Sequence, residues 1–258
     1  MNSDTARIAE KYDQAMYVDE VREIWGHSDF CNFGYWRPET VDHKTACENL
    51  VDALLAFIPD KRGRILDVAC GLGATTRHLS HYFPPSRIVG VNISERQLGT
   101  AKDKLPASGF ARMDAVSLGF QDSSFENIIC VEAAFHFDTR AHFLREAYRV
   151  LKPGGYLVLS DILAQRWLSK LKSTATVRNL TVGLDEYEQA YAAAGFREVQ
   201  VVDATTEAVS RLCKYHRRWC ASRLGKSWDV RPVIRLMLFD LALLAGTRQY
   251  LLVAAQKP

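Results

Sequence analysis

Residues 64–73 read Arg-Ile-Leu-Asp-Val-Ala-Cys-Gly-Leu-Gly. The apolar run Ile65-Leu66-Asp67-Val68-Ala69 predicts a buried strand over 64–69, closed by a turn carrying Gly71 and Gly73. A helix signal, Ala74-Thr75-Thr76-Arg77-His78-Leu79, follows at once. Strand, tight glycine turn and helix N-terminus make the local geometry that holds a nucleotide-like ligand. Glycines let the backbone bend and approach a ligand with no Cβ in the way. Asp67, near the strand's carboxyl end, is a charge that packing alone does not call for. A dinucleotide site wants a third glycine three residues after Gly73 and an acidic residue about 20 residues further on. Thr76 stands at the first position and the next strand ends Val91-Asn92, which disfavours a nicotinamide dinucleotide.

Outward from this stretch, strands are predicted at 87–92, 109–113, 126–131, 156–161, 197–203 and 250–255. Helices are predicted at 74–83, 95–104, 139–150, 184–194, 206–223 and 230–245. Alternation with near-continuous apolar strands means an α/β fold: a seven-stranded, mostly parallel sheet with helices on both faces. Ligands in such sheets sit at the carboxyl ends of the strands, where Asp67, Asn92, Asp114, Glu132 and Asp161 all fall. Ahead of the sheet, residues 4–24 read as one amphipathic helix with Ile8, Tyr12, Ala15 and Met16 at helical spacing. An aromatic loop follows, with Trp25, Phe30, Phe33, Tyr35 and Trp36, and Thr40 is expected to cap a helix that Pro59 ends. Residues 162–182 hold Trp167, Lys170 and Arg178 without a strand signal. The expected organisation is a helical, aromatic cover over 1–38, a ligand-binding core over 39–161, and substrate-cap segments that complete the sheet over 162–258.

A chain of 258 residues, 48% hydrophobic and 24% charged, buries a full core as a soluble globular protein. Its six cysteines have no CxxC or Cys/His spacing, so buried thiols in a reducing compartment are expected and a metal site is not. The start Met1-Asn2-Ser3-Asp4 carries no signal-peptide pattern, and the apolar stretch 233–245 is interrupted by Arg235 and Asp240. The expectation is a cytoplasmic protein with no stable membrane insertion. A net charge of +3 is too small to argue for nucleic acid. From 208 to 258 the only acidic residues are Asp229 and Asp240, among ten Lys and Arg that include Lys226. Such a stretch reads as a solvated helix face or as a basic rim for an acidic substrate.

The stretch 64–73 resembles the first motif of class I S-adenosylmethionine methyltransferases in its D-x-A-C-G-x-G variant. Further matches follow in order: Ile88 to Leu98, Phe110 to Ala115, Asn127 to Glu132, and Leu144 to Gly155 with its Pro-Gly-Gly turn. The resemblance implies a Rossmann-like fold and S-adenosylmethionine as cofactor. It places the backbone of Ala69 and Gly71 against the cofactor's amino acid moiety, with Asp67 and Gly73 framing the turn. Asn92 falls at the ribose position, which is usually Asp or Glu, and Gln97 where some members carry a second ribose ligand. Asp114, followed by Ala115, resembles the adenine ligand. The segment Asn32-Phe33-Gly34-Tyr35-Trp36 resembles an element of small-molecule methyltransferases near the sterol, tocopherol and rebeccamycin-sugar enzymes.

Methyl transfer from a sulfonium is a displacement that needs an in-line nucleophile, positioning and exclusion of water. A positive sulfur favours aromatic faces, so Tyr12, Tyr17, Tyr35 and Trp36 are candidates to cover the cofactor and acceptor, and Phe135 and Trp167 to touch the acceptor. After the fourth strand comes Glu132-Ala133-Ala134-Phe135-His136-Phe137. A histidine there can serve as general base, with Asp161 orienting it; this placement resembles the rebeccamycin-type sugar O-methyltransferases. Glu132 could instead face the cofactor or stabilise a carbocation. The favoured function is O-methylation of a small, largely apolar metabolite in small-molecule biosynthesis. C-methylation of an isoprenoid or electron-rich carbon comes next, then N-methylation. A non-catalytic cofactor-binding regulator is the alternative of another class. A nucleic-acid methyltransferase is disfavoured, because no Asn/Asp-Pro-Pro-Tyr element follows the fourth strand. An assembly of at least two copies is expected.

Overall fold

The structure is a computed structural model that describes residues 3–170, 179, 181, 183–224 and 229–258. Its strands are β1 (Ile65–Val68), β2 (Ile88–Asn92), β3 (Gly109–Arg112), β4 (Phe125–Val131), β5 (Leu151–Ala164), β6 (Arg197–Asp203) and β7 (Thr247–Gln256). They form one sheet in the order β3-β2-β1-β4-β5-β7-β6. The first five in that order run parallel, and β7 is antiparallel to both its neighbours. This is the seven-stranded Rossmann-like sheet the sequence predicts.

Side-chain alternation divides the core into two layers. Ile65, Ile88, Ile129, Val158, Tyr250, Leu252 and Ala254 pack on one side. There they meet α3 (His43–Leu55) and α8 (Arg211–Arg223) through residues such as Leu50, Leu54 and Leu212. Leu66, Val68, Cys130, Leu157, Leu159, Leu251 and Val253 pack on the other, against Phe143 and Leu144 of α6 (Arg140–Val150) and Tyr187 and Tyr191 of α7 (Leu184–Ala194). The remaining helices are α4 (Ala74–Leu79), α5 (Glu95–Lys104) and α9 (Arg231–Gly246).

Three local expectations change. The single helix over 4–24 is two, α1 (Ser3–Ala15) and α2 (Asp19–Ile24). Val18 is extended, and Asp19 and Glu20 open a new first turn, where acidic groups meet the positive end of the helix dipole. Asp42, not Thr40, caps α3: its carboxylate accepts from Thr45 N at 2.9 Å. Thr40 instead accepts from the Arg37 amide within the preceding turn. Finally, β5 runs on to Ala164, because β7 pairs with it past Asp161 through Ile162 and Leu163. Asp161 is therefore mid-strand, on the α6–α7 side with Leu159 and Leu163. Arg178 and Lys226 lie outside the described residues. Among the described residues, no helix is long and apolar enough to cross a membrane.

Candidate active site

The glycine turn shows why this stretch is so informative. Ala69 (φ 62°), Gly71 (φ 54°) and Gly73 (φ 78°) all adopt the left-handed region, which folds the chain back sharply between β1 and α4. Nothing crowds Gly71: an added Cβ would meet Met16 Cε at 3.5 Å. Gly73 has a different role, since a Cβ there would stand 2.7 Å from Ala101 Cβ of α5. The first glycine bares backbone to the cleft, and the second lets α4 and α5 approach.

Above the carboxyl ends of β1, β2 and β4 lies a cleft of about 1060 Å³, counting its open mouth. Its floor carries Asp67 from β1, Ala69 and Gly71 from the turn, Asn92 from the end of β2, Gln97 from the first turn of α5, and Asp114 and Ala115 after β3. Glu132 and His136, just beyond β4, form the far wall. The roof is α1 and the residue that follows it: Thr5, Ile8, Ala9, Tyr12 and Met16 fall on one face at helical spacing.

The titratable groups here are held away from their ordinary behaviour. Asp67 is buried and accepts from Thr76 Oγ1 at 2.6 Å; burial pushes its carboxyl up to about 7 and the Thr76 bonds hold it back. Glu132, at φ 48°, accepts from Phe33 N at 2.7 Å and from the Tyr250 hydroxyl at 2.5 Å. Burial still raises its carboxyl to about 8, against those two bonds. His136 sits in the short helical turn Ala134–His136, with Nε2 2.7 Å from the Tyr12 hydroxyl. Burial lowers its pKa to about 4, reinforced by the charges of Lys11 and Arg140. At neutral pH the imidazole is uncharged, and burial keeps the Tyr12 phenol protonated.

The expected pairing of His136 with Asp161 does not form. Asp161 is fully buried on the opposite side of β5, where Arg140 Nε and Nη2 donate to it at 2.6 and 2.9 Å and Tyr187 Oη at 3.1 Å. The alternation of β5 sends its side chain to the α6 face. Several aromatic candidates also lie off the cleft. Trp36 is core and donates to Phe33 O, and Tyr35 packs against the same cluster. Tyr17 binds Thr100 Oγ1 at 2.8 Å under Arg96, outside the cleft lining. Phe135, absent from the cleft lining, sits with its ring centroid 4.3 Å from that of His136 and tilted 51° to it, and Trp167 is half exposed against Ala245. Cys31, Asp29 and Met113 line the cleft without having been expected, and Asn32 is the one residue of the Asn32–Trp36 element that reaches it. For Cys31 and Asp29 no periodicity was available, because they come from an irregular loop. Tyr250, which holds Glu132, is hidden in the last apolar strand.

Residues 66–159 match the profile of the family described as a methyltransferase domain. The 27-O-demethylrifamycin SV methyltransferase of Amycolatopsis mediterranei (strain S699) is 31% identical over 218 residues, 79% of this chain and 76% of that protein. The [4+2]-cyclase SpnF shares the fold with a TM-score of 0.76 at 20% identity, over 98% of this chain and 97% of that one. So does the geranyl diphosphate C-methyltransferase of Streptomyces coelicolor A3(2), with a TM-score of 0.72 at 17% identity over 100% and 98% of the two chains. The chain belongs to the class I S-adenosylmethionine-dependent methyltransferases. It is an enzyme, and its cofactor is S-adenosylmethionine. The cleft suits that molecule: bare backbone at Gly71, neutral amides at Asn92 and Gln97, and a carboxylate at Asp114.

Proposed function

We propose that this enzyme methylates a hydroxyl of a small, largely apolar metabolite and that His136 takes the proton. The observation that carries this reading is the Tyr12–His136 hydrogen bond on the wall of the cleft that also contains the glycine turn. S-adenosylmethionine, when bound, supplies an electrophilic methyl group. Asp67 and the backbone of Ala69 and Gly71 hold its amino acid end, with Gly73 shaping the turn. Asn92 and Gln97 serve the ribose; Asp114 and Ala115 serve the adenine. The Tyr12 oxygen marks a point 2.7 Å from Nε2. An acceptor hydroxyl that takes the place of the Tyr12 oxygen there would hand its proton to the neutral imidazole as its oxygen takes the methyl group, the methyl–sulfur bond breaking to leave the neutral thioether S-adenosylhomocysteine. Ile8, Phe30 and Met16 supply apolar wall for the acceptor and keep water out. The name of the relative, a methyltransferase of 27-O-demethylrifamycin SV, supports the same O-methylation chemistry.

His136→Ala is expected to lower kcat by about 10²–10⁴-fold while S-adenosylhomocysteine still binds in calorimetry. Retained activity would remove His136 from the role. A second reading rests on Glu132, a buried carboxyl on the cleft wall. In C-methylation of an alkene it would face a carbocation, and Glu132→Gln would then lose more activity than His136→Ala.

Two wider readings accompany this one. Six unpaired cysteines, five of them buried, support a reducing, cytoplasmic setting. An assembly of at least two copies is the other, and a monomeric mass by light scattering ends it. Nuclease treatment should leave activity intact, as expected of a small-molecule rather than a nucleic-acid acceptor.

A further inference from the structure

We infer that Asp13, on the roof helix α1, is a positioning residue for the cofactor ribose and supplies the carboxylate that Asn92 lacks. Its Oδ1 accepts from Ser94 Oγ at 2.6 Å and from Gln97 Nε2 at 2.7 Å. Gln97, 3% exposed, in turn accepts from Asn92 Nδ2 at 2.8 Å through Oε1, and Asn92 Oδ1 accepts from Ile93 N. A carboxylate only accepts, so it fixes which end of the Gln97 amide faces it. Nε2 is bound to Asp13, and Oε1 is turned toward the glycine turn, 3.9 Å from where a Gly71 Cβ would stand. A ribose diol needs acceptors for its two hydroxyl protons. With Asp13 in place, both ends of the Gln97 amide are held, Nε2 by Asp13 and Oε1 by Asn92, so Oε1 offers its remaining lone pair in a fixed direction; without it, only the Asn92 contact restrains the amide. A charge on a different element thereby does the work that an acidic residue at the end of β2 would do directly.

This inference rests on the assignment of Asn92 and Gln97 to the ribose. It is tested by calorimetry on the full chain, with S-adenosylhomocysteine and with its analogue lacking both ribose hydroxyls. Asp13→Ala should weaken S-adenosylhomocysteine about tenfold and leave the analogue's affinity unchanged. Asp13→Asn keeps one acceptor oxygen and should cost less; it also carries the test if the alanine variant folds poorly. Asp13→Ala and Gln97→Ala together should cost little more than either alone, as residues acting through one another do. Equal weakening of both ligands by Asp13→Ala would reduce Asp13 to a strut for α1 and overturn the inference. So would no weakening of either, with the ribose site left standing. If the wild-type enzyme binds the two ligands equally, the ribose assignment itself fails, and the role of Asp13 with it.

Discussion

Glu132 and His136 share a wall of the cleft, and burial displaces both toward their neutral forms, the acid up to about 8 and the base down to about 4. The pH profile therefore separates their roles. If His136 is the base, kcat/KM rises through about pH 4 and is flat from pH 6 to 9, because the imidazole is already free. A limb near pH 8 would point to Glu132 instead. Stability carries the same shifts with a definite sign. Asp67 and Glu132 hold protons in the native state up to about 7 and 8 that the unfolded chain releases near 4. Their contribution is full at low pH and is lost as pH rises through those values. His136 and His43, lowered to about 4 by burial, act the other way: their stabilisation grows with pH up to about 6.5. Above that point the histidine gain is complete and the carboxyls still titrate, joined toward pH 8.5 by thiols such as Cys31 and Cys47 whose protons burial retains, so the melting temperature of the ligand-free enzyme should fall from pH 6.5 to pH 8.5. Glu132→Gln should flatten part of that slope in a thermal melt series.

At the scale of elements, β5 decides what Asp161 is for. Placing it mid-strand opposite Arg140 makes it half of a buried, hydrogen-bonded ion pair. Asp161→Ala leaves the guanidinium buried without its counter-charge and should cost about 3–5 kcal/mol in denaturant unfolding. In enzyme that remains folded, the pH profile of kcat should be unchanged, which a partner of His136 would not permit. The glycine turn yields a parallel test. Gly73→Ala combines a left-handed backbone with a Cβ pressed on Ala101 and should destabilise by about 1–3 kcal/mol. Gly71→Ala, with open space ahead of it, bears the conformational cost alone and should destabilise less. The strands and turn were legible in the sequence because β1, β2 and β4 are apolar on both faces and the glycines punctuate them. The end of β5 was not, because antiparallel pairing by β7, a distant partner, extends it. The direction of Asp161 was lost with that boundary: an aspartate after an apolar run looks the same at a strand end or inside one.

Across the whole molecule, the sheet order gathers into one cleft groups that the chain scatters from Thr5 to His136. Most of its floor could be read from motif positions, since each lies just past a strand. The aromatic residues could not be sorted this way. Trp36 and Tyr35 serve the core while Tyr12 faces the cleft, and only the seat of α1 on the sheet distinguishes them. That seat puts α1 over the cofactor cleft. Bound S-adenosylhomocysteine should slow limited proteolysis between residues 3 and 24 more than within α3, as followed by mass spectrometry of the fragments.

The insertion of β7 between β5 and β6 also has a consequence for how the enzyme is made. Glu132 receives its hydroxyl donor from Tyr250, 118 residues later in the chain. The glycine turn, β2 and β4 find their partners over much shorter spans. During synthesis the part of the cleft built on the glycine turn and β2 can be shaped while Glu132 still lacks its phenol. Because contacts distant in sequence are slower to close, the Tyr250 bond to Glu132 is expected to form after the turn and β2 have found their partners. The strand that comes last in the chain thus finishes a cleft whose first wall is laid down by the first strand of the sheet.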